Sequence, residues 1–174
     1  PQMTDEAQQP VIDFLGDAGS HGGVPVKRID THAALVFLAG DRVLKIKRAV
    51  RFPFLHFYTL GKRRVACEAE IKVNRAFAPA IYRGVVPITR DGAGRLAVGG
   101  KGQPVEWAVE MRRFDESQTL DRLAESGSID EALADRLGRT VAAAHRVAPT
   151  VANAHFTETL ADIFAQNETE LAAE

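Results

Sequence analysis

The chain has 174 residues, 45% of them hydrophobic, and its 22 basic against 23 acidic side chains leave a formal charge of −1. A length within the usual one-domain range of about 100 to 200 residues, with that apolar fraction, supplies a real core, and the near-neutral balance excludes a globally basic protein built for nucleic acid or an anionic membrane. No apolar run approaches the roughly 18 residues of a membrane span, and the N-terminus lacks the basic-then-apolar pattern of a signal peptide, so a cytoplasmic protein without membrane association is expected. The single cysteine, Cys67, excludes an internal disulfide and a thiolate zinc site; a core-packing role is expected for it.

In chain order, Thr4 is placed to cap a helix running to about Gly16, with Val11, Phe14 and Leu15 on one stripe. The glycine-rich stretch from Gly16 to Gly23 lacks the Lys-Ser/Thr that must follow the last glycine of a P-loop, and it reads as a linker. Residues 26–47 then read as three short strands, interrupted at Asp30-Thr31-His32 and at Ala39-Gly40-Asp41. In the third strand Val43, Lys45 and Lys47 share one face, because side chains alternate across a strand, while Leu44 and Ile46 share the other. Cations held on a rigid strand suit phosphate oxygens; the plainer alternative is that these lysines protect an exposed sheet edge.

From Arg48 to Arg64, five basic residues (Arg48, Arg51, Lys62, Arg63 and Arg64) interleave with Phe52, Phe54, Phe57 and Tyr58, and no carboxylate lies between Arg42 and Arg64. Such a mixture can stack bases and neutralise phosphates, which makes a nucleic-acid or anionic-ligand surface the rival reading. Pro53 and the dense aromatics point instead to a loop packed on the core, its cations partly solvated and partly aimed at a phosphate site. A helix is then predicted from about Thr59 to Ala78, closed by Pro79. Cys67, Glu70, Ile71, Asn74 and Phe77 share a stripe on it by their spacing of three and four, so Glu70 points inward. Glu68 lies roughly 120° away, at about 100° per residue, and is expected to be exposed. An inward carboxylate needs a cation, and Lys45 is available; otherwise Glu70 is a surface residue at the edge of the stripe.

Further strands are predicted over 81–89, 95–98 and 105–111, with Asp91-Gly92 as a turn and 99–104 as a loop. Beyond Arg113 the pattern becomes helical. Ser117 or Thr119 caps a short helix through Leu123, and Ser128 with Glu131 forms a capping box for a longer one. That helix carries Leu133, Leu137, Val141 and Ala144 on one face and ends near His145. A last helix, capped by Thr157, holds Leu160, Phe164 and Leu171. The fold class expected is therefore α+β: an antiparallel sheet of about five strands with one inserted helix over residues 1–116, then a helical segment over 117–174.

The order of these elements and several short strings resemble the small lobe of the protein-kinase-like fold. The strings are Ile29-Asp30-Thr31-His32, Val36-Phe37-Leu38, Val43-Leu44-Lys45-Ile46-Lys47, Glu68-Ala-Glu70 with Asn74-Arg75, and Tyr82-Arg83-Gly84-Val85-Val86-Pro87-Ile88. Over about residues 10–150 the chain is similar to the aminoglycoside phosphotransferase family, in particular its uncharacterised bacterial branch that is often joined to a P-loop ATPase domain. The resemblance implies that Lys45 contacts nucleotide phosphates and is held by Glu70, with Lys47 as the reserve candidate. It implies that Thr31 and His32 lie in the turn over the phosphates. It also makes Glu110, Met111 and Arg112 a hinge whose backbone meets adenine, with Val109 lining the pocket.

The same resemblance calls for a catalytic-loop aspartate, a following asparagine and a second metal-binding aspartate. No His-x-Asp string is present, and Asp162 and Asn167 lie in a predicted helix where a separation of five puts them roughly 140° apart. His145 is expected to cap its helix or sit in the core. The reading is thus the nucleotide-binding part of a kinase that transfers the γ-phosphoryl of ATP or GTP, with magnesium, to a small-molecule hydroxyl, with the catalytic loop absent from this chain. The alternatives are a non-catalytic regulatory or binding module on the same scaffold, and an anionic-ligand or nucleic-acid binder using Arg42 to Arg64. The apolar face of the helix from Ser128 to His145 is expected to be covered by the last helix or by a second copy in a homodimer.

Overall fold

The computed structural model describes residues 5–52, 55–150 and 156–171. It divides into two compact units, Pro1–Ser126 and Gly127–Glu174. The first unit opens with α1 (Asp5–Gly16), which carries Pro10 within it. The expected cap, Thr4, lies outside the described residues. Val11, Ile12 and Leu15 of α1 are buried, which makes it a docking helix. A short 3-10 turn, Ala18–His21, follows and ends at Gly22 with φ +66, a conformation glycine adopts without strain.

Six antiparallel strands form the sheet: β1 (Val26–Asp30), β2 (Ala34–Ala39), β3 (Arg42–Lys47), β6 (Tyr82–Arg90), β7 (Leu96–Val98) and β8 (Gln103–Arg112). Their spatial order is β1-β2-β3-β8-β6-β7, and β4 (Arg51–Phe52) pairs with β5 (Leu55–His56) in a separate two-stranded antiparallel sheet. The α+β class is as expected, with six strands in the sheet instead of about five. β3 is flanked by β2 on one side and β8 on the other, so its lysines do not protect a sheet edge.

The sheet has apolar packing on both faces. Leu35, Phe37, Leu44 and Ile46 pack with the buried side chains of α1. Leu38, Val43, Val109 and Met111 pack with Cys67 and Ile71 of α2 (Leu60–Asn74). Fully burying each such aliphatic or aromatic side chain stabilises by about 1.5–3 kcal/mol, so the alternation along β3 holds a helix on each face.

α2 starts where expected, and Thr59 caps it, its hydroxyl accepting from the Lys62 amide at 3.2 Å. The helix stops at Asn74 rather than Ala78, and Phe77, beyond its end, is 65% exposed. The helical phase that put Phe77 on the inner stripe does not hold once the chain leaves the helix. After β8 a 3-10 turn, Glu116–Gln118, is capped by Asp115, whose carboxylate accepts from the Ser117 amide at 3.0 Å, so Ser117 is not a cap. Thr119 holds the N-cap position of α3 (Leu120–Glu125).

In the second unit, α4 (Glu131–Val147) is capped by Asp130 and not by Ser128: the Asp130 carboxylate accepts from the Leu133 amide at 2.7 Å. A cap reaches the amide three residues on, and the first turn here starts one residue after Asp130. Along α4, Leu133, Leu137 and Ala144 are half-buried and Val141 is exposed. His145 is exposed in the last turn, where a basic side chain suits the carbonyl end of a helix; it is not a core residue. In α5 (Phe156–Leu171) Thr157 falls inside the first turn, so it is not the cap, and Leu160 and Phe164 are exposed. Among the described residues no helix is long and apolar enough to cross a membrane.

Candidate functional site

The alternation of β3 and the phase of α2 bring three charged side chains together. Lys45 Nζ lies 2.9 Å from Glu70 Oε1, and Lys47 Nζ lies 2.5 Å from Glu70 Oε2. Glu70 is the most enclosed of the three, at 11% side-chain exposure against 12% for Lys47 and 28% for Lys45, so it is not a surface residue. Burial pushes the Glu70 carboxyl up, but the hydrogen bonds from Lys47 and Lys45, with their charges, outweigh it and hold the group below the usual glutamate range. Two ammonium groups and one carboxylate leave a net charge of +1 in this half-buried place. Such an excess favours an anion that can reach it.

Lys45 opens onto a cavity of about 260 Å³. Its walls include Val36, Leu38, Val43, Met111 and Phe114, so it is largely apolar, and Lys45, Arg113 and Glu116 are the charged residues that line it. At the cavity's other charged part, Glu116 accepts from Lys27 of β1 at 2.7 Å and from Arg113 at 3.1 Å, tying β1 to the segment after β8. Burial, and then the nearby Glu70 charge, push the Tyr82 hydroxyl up from its ordinary value.

The other expected site residues are distributed differently. Lys47 is not among the residues lining this cavity; its ammonium lies beside Glu70 and 5.6 Å from the Phe57 ring centroid. Val109 is fully buried in the packing with Cys67 and does not line the cavity. Glu110, Met111 and Arg112, expected as the hinge, all lie in β8, with Glu110 and Met111 paired to both β3 and β6 and the Arg112 amide donating to the Ile81 carbonyl at 2.8 Å. Met111 contributes its side chain to the cavity instead. The Glu110 carboxylate faces the other way, 3.0 Å from Arg42 Nε and 3.6 Å from Arg83. The cavity-lining residues beyond the ladder are Arg113, Phe114 and Glu116.

Thr31 and His32 border a different depression, of about 480 Å³, together with Asp30 and Arg48. The Thr31 hydroxyl donates to the Ala34 carbonyl at 2.9 Å and accepts from the Ala34 amide at 3.0 Å, which closes the β1–β2 turn on itself. Neither residue lines the Lys45 cavity.

The basic segment does not make one continuous face. Arg63 is fully buried, its Nε donating to both Glu106 oxygens at 2.8 and 2.9 Å. Gln8 of α1 completes this cluster, donating to Glu106 Oε2 at 2.6 Å and to the Lys47 carbonyl at 2.9 Å while accepting from the Ala49 amide at 2.7 Å. Arg64 pairs with Glu68 at 2.8 Å and stacks 4.6 Å from the Trp107 ring, and Lys62 lies over Tyr58. Pro53 and Phe54 lie outside the described residues. The Arg63–Glu106–Gln8 cluster was not foreseen, although one signal pointed to it: Arg63 precedes Cys67 by four, on the buried stripe of α2. Cys67 is a core residue, its thiol pushed up to about 12 by burial and donating to the Trp107 carbonyl at 3.7 Å. Among the described residues no three His, Cys, Asp or Glu side chains are grouped to hold a metal ion.

Over 117 residues, 67% of its length, the chain is 33% identical to uncharacterized proteins of Mycobacterium bovis and Mycobacterium tuberculosis. The matched stretch spans 22% of the length of each of these curated relatives. No family model and no solved structure matches the chain.

Proposed function

We propose that this chain is the nucleotide-binding portion of a kinase resembling the aminoglycoside phosphotransferases, which passes the γ-phosphoryl group of ATP or GTP to a small-molecule hydroxyl. The observation that carries this reading is the 2.9 Å contact between Glu70 and Lys45, which lines the largely apolar cavity, with the second ammonium of Lys47 on the same carboxylate. A strand lysine held by a helix glutamate is the arrangement that presents an ammonium to nucleotide phosphates in kinases. Here Lys45 neutralises phosphate oxygens, Glu70 orients it, and Val36, Leu38, Met111 and Phe114 give a flat base an apolar seat. The cavity's place beside β8 supports a base position next to Arg113 and Phe114, where the chain has left the ladder.

Among the described residues no three or more His, Cys, Asp or Glu side chains are grouped to hold a metal ion, and none is assigned to magnesium. No step of the reaction is therefore assigned to this chain's own groups beyond binding and orienting the nucleotide. Positioning and charge stabilisation carry most of phosphoryl transfer, and this chain alone is expected not to turn over ATP.

Titration with ATP and GTP in low and moderate salt is the test. The expected result is saturable binding that Lys45→Met abolishes and that single-stranded DNA does not compete away at moderate salt. Binding that is unchanged in Lys45→Met, or that prefers nucleic acid and falls steeply with salt, would remove the kinase reading in favour of the anionic-ligand one. ATP turnover above the Lys45→Met background would show that the catalytic groups lie within this chain.

A further inference from the structure

Glu70 offers two carboxylate oxygens, and each has its own lysine. The two lysines are not equivalent. Lys45, at 28% exposure, lines the cavity; Lys47, at 12%, does not, and the Phe57 ring lies 5.6 Å from its ammonium. An incoming anion therefore meets Lys45 and not Lys47. If Glu70 had Lys45 alone, every contact of that lysine with a ligand would draw it from an enclosed carboxylate left without a cation, and a stranded charge of that kind is strongly unfavourable. We infer that Lys47 is a positioning residue that keeps Glu70 neutralised and in place, so that Lys45 is free to bind a polyphosphate. This rests on the nucleotide reading of the cavity.

The titratable groups that interact with Glu70 include Lys45 and Lys47 from β3, which hydrogen-bond to it, and Tyr82 from β6 and Cys67 from its own helix, which feel its charge. Tyr82 and Cys67 are both pushed upward, so they stay neutral at neutral pH and the charge count involves only the lysines and the carboxylate. That count is +1 in the native protein, zero in Lys47→Met, and +1 again in the double variant Lys47→Met/Glu70→Gln.

Titration of the four proteins, including Lys47→Arg, with ATP at one fixed salt concentration tests this. Lys47→Met should bind about tenfold more weakly, Lys47→Arg should bind as the native protein does, and the double variant, which removes the stranded charge but also weakens the orientation of Lys45, should bind about threefold more tightly than Lys47→Met while staying weaker than native. A double variant as weak as Lys47→Met would mean that Lys47 touches the anion itself, and native affinity in Lys47→Met would mean that it does nothing; either overturns the inference. If Lys47→Met does not fold, the double variant should, because the stranded carboxylate is then the fault, and failure of both overturns it too. If the native chain binds no ATP, the nucleotide reading fails by itself. The role of Lys47 is then decided by carbon-13 titration of the Glu70 carboxyl: Lys47→Met should raise its midpoint more than Lys45→Met does, and the reverse order overturns it.

Discussion

Two ion clusters lie within the first unit, built from the same chemistry for different ends. In one, Arg63 and Glu106 are 0% and 1% exposed, their charges cancel, and the bonds close: Arg63 also donates to the Phe57 carbonyl at 3.0 Å, and Glu106 also accepts from the Trp107 amide at 2.9 Å. In the other, Lys45 and Lys47 share one carboxylate, and Lys45 opens to a cavity. A balanced, closed cluster can only join α1, α2 and β8. An unbalanced, open one has binding capacity left over, and this imbalance, more than burial, separates a lock from a site.

The sharpest way to break the comparison is Arg63→Met, which leaves Glu106 charged and without its cation. A loss of about 3–5 kcal/mol in unfolding free energy is expected by denaturant titration, enough to threaten folding of the whole unit. A loss below about 1 kcal/mol would mean that solvent reaches Glu106 and that the cluster is no lock. Gln8→Leu removes the neutral member and leaves an amide, a carbonyl and a carboxylate oxygen short of partners. It should cost about 1–3 kcal/mol on the same scale.

Lys45→Met should do the opposite: the unfolding free energy changes by no more than about 1 kcal/mol, because this lysine is partly exposed and Glu70 keeps Lys47, while ATP affinity is lost. A variant as damaged in stability as Arg63→Met would erase the distinction between the two clusters. The smallest effect is in acid. The Glu70 carboxyl is held below its ordinary value of 4.5, so the stability it contributes is fully present above that value and is lost as pH falls through the lower folded value. Glu70→Gln should therefore flatten the decline of stability in that window and leave the rest of the curve in place. An unchanged acid limb would mean that the two lysines do not favour the ionised form.

The strands around Lys45 and the inward direction of Glu70 were legible from residue order because both depend on local repeats, two residues across a strand and 3.6 around a helix. The start of α2 at about Thr59 was legible too, from the residue types that begin a helix. Thr119, one of the two caps expected for the short helix, holds that position, whereas α4 is capped by Asp130 and not by Ser128, a choice made by backbone path within a residue or two. That Glu110 to Arg112, expected as a hinge, continue β8 was not legible, because a strand's length depends on its neighbours, and β3 and β6 both extend beside it.

By itself, then, the order of residues determined that two lysines face one way from β3 and that a glutamate on the next helix can meet them, since each placement needs only the phase of its own element. Tertiary structure alone decided the rest. It put Lys45 at the cavity and Lys47 behind it, and it joined Gln8 to Glu106 across 98 residues and Arg63 to Glu106 across 43. No periodicity reaches over such distances; the partners are selected by which strand ends and helix starts the packed sheet brings together, and by the cost of leaving any of those buried charges unpaired.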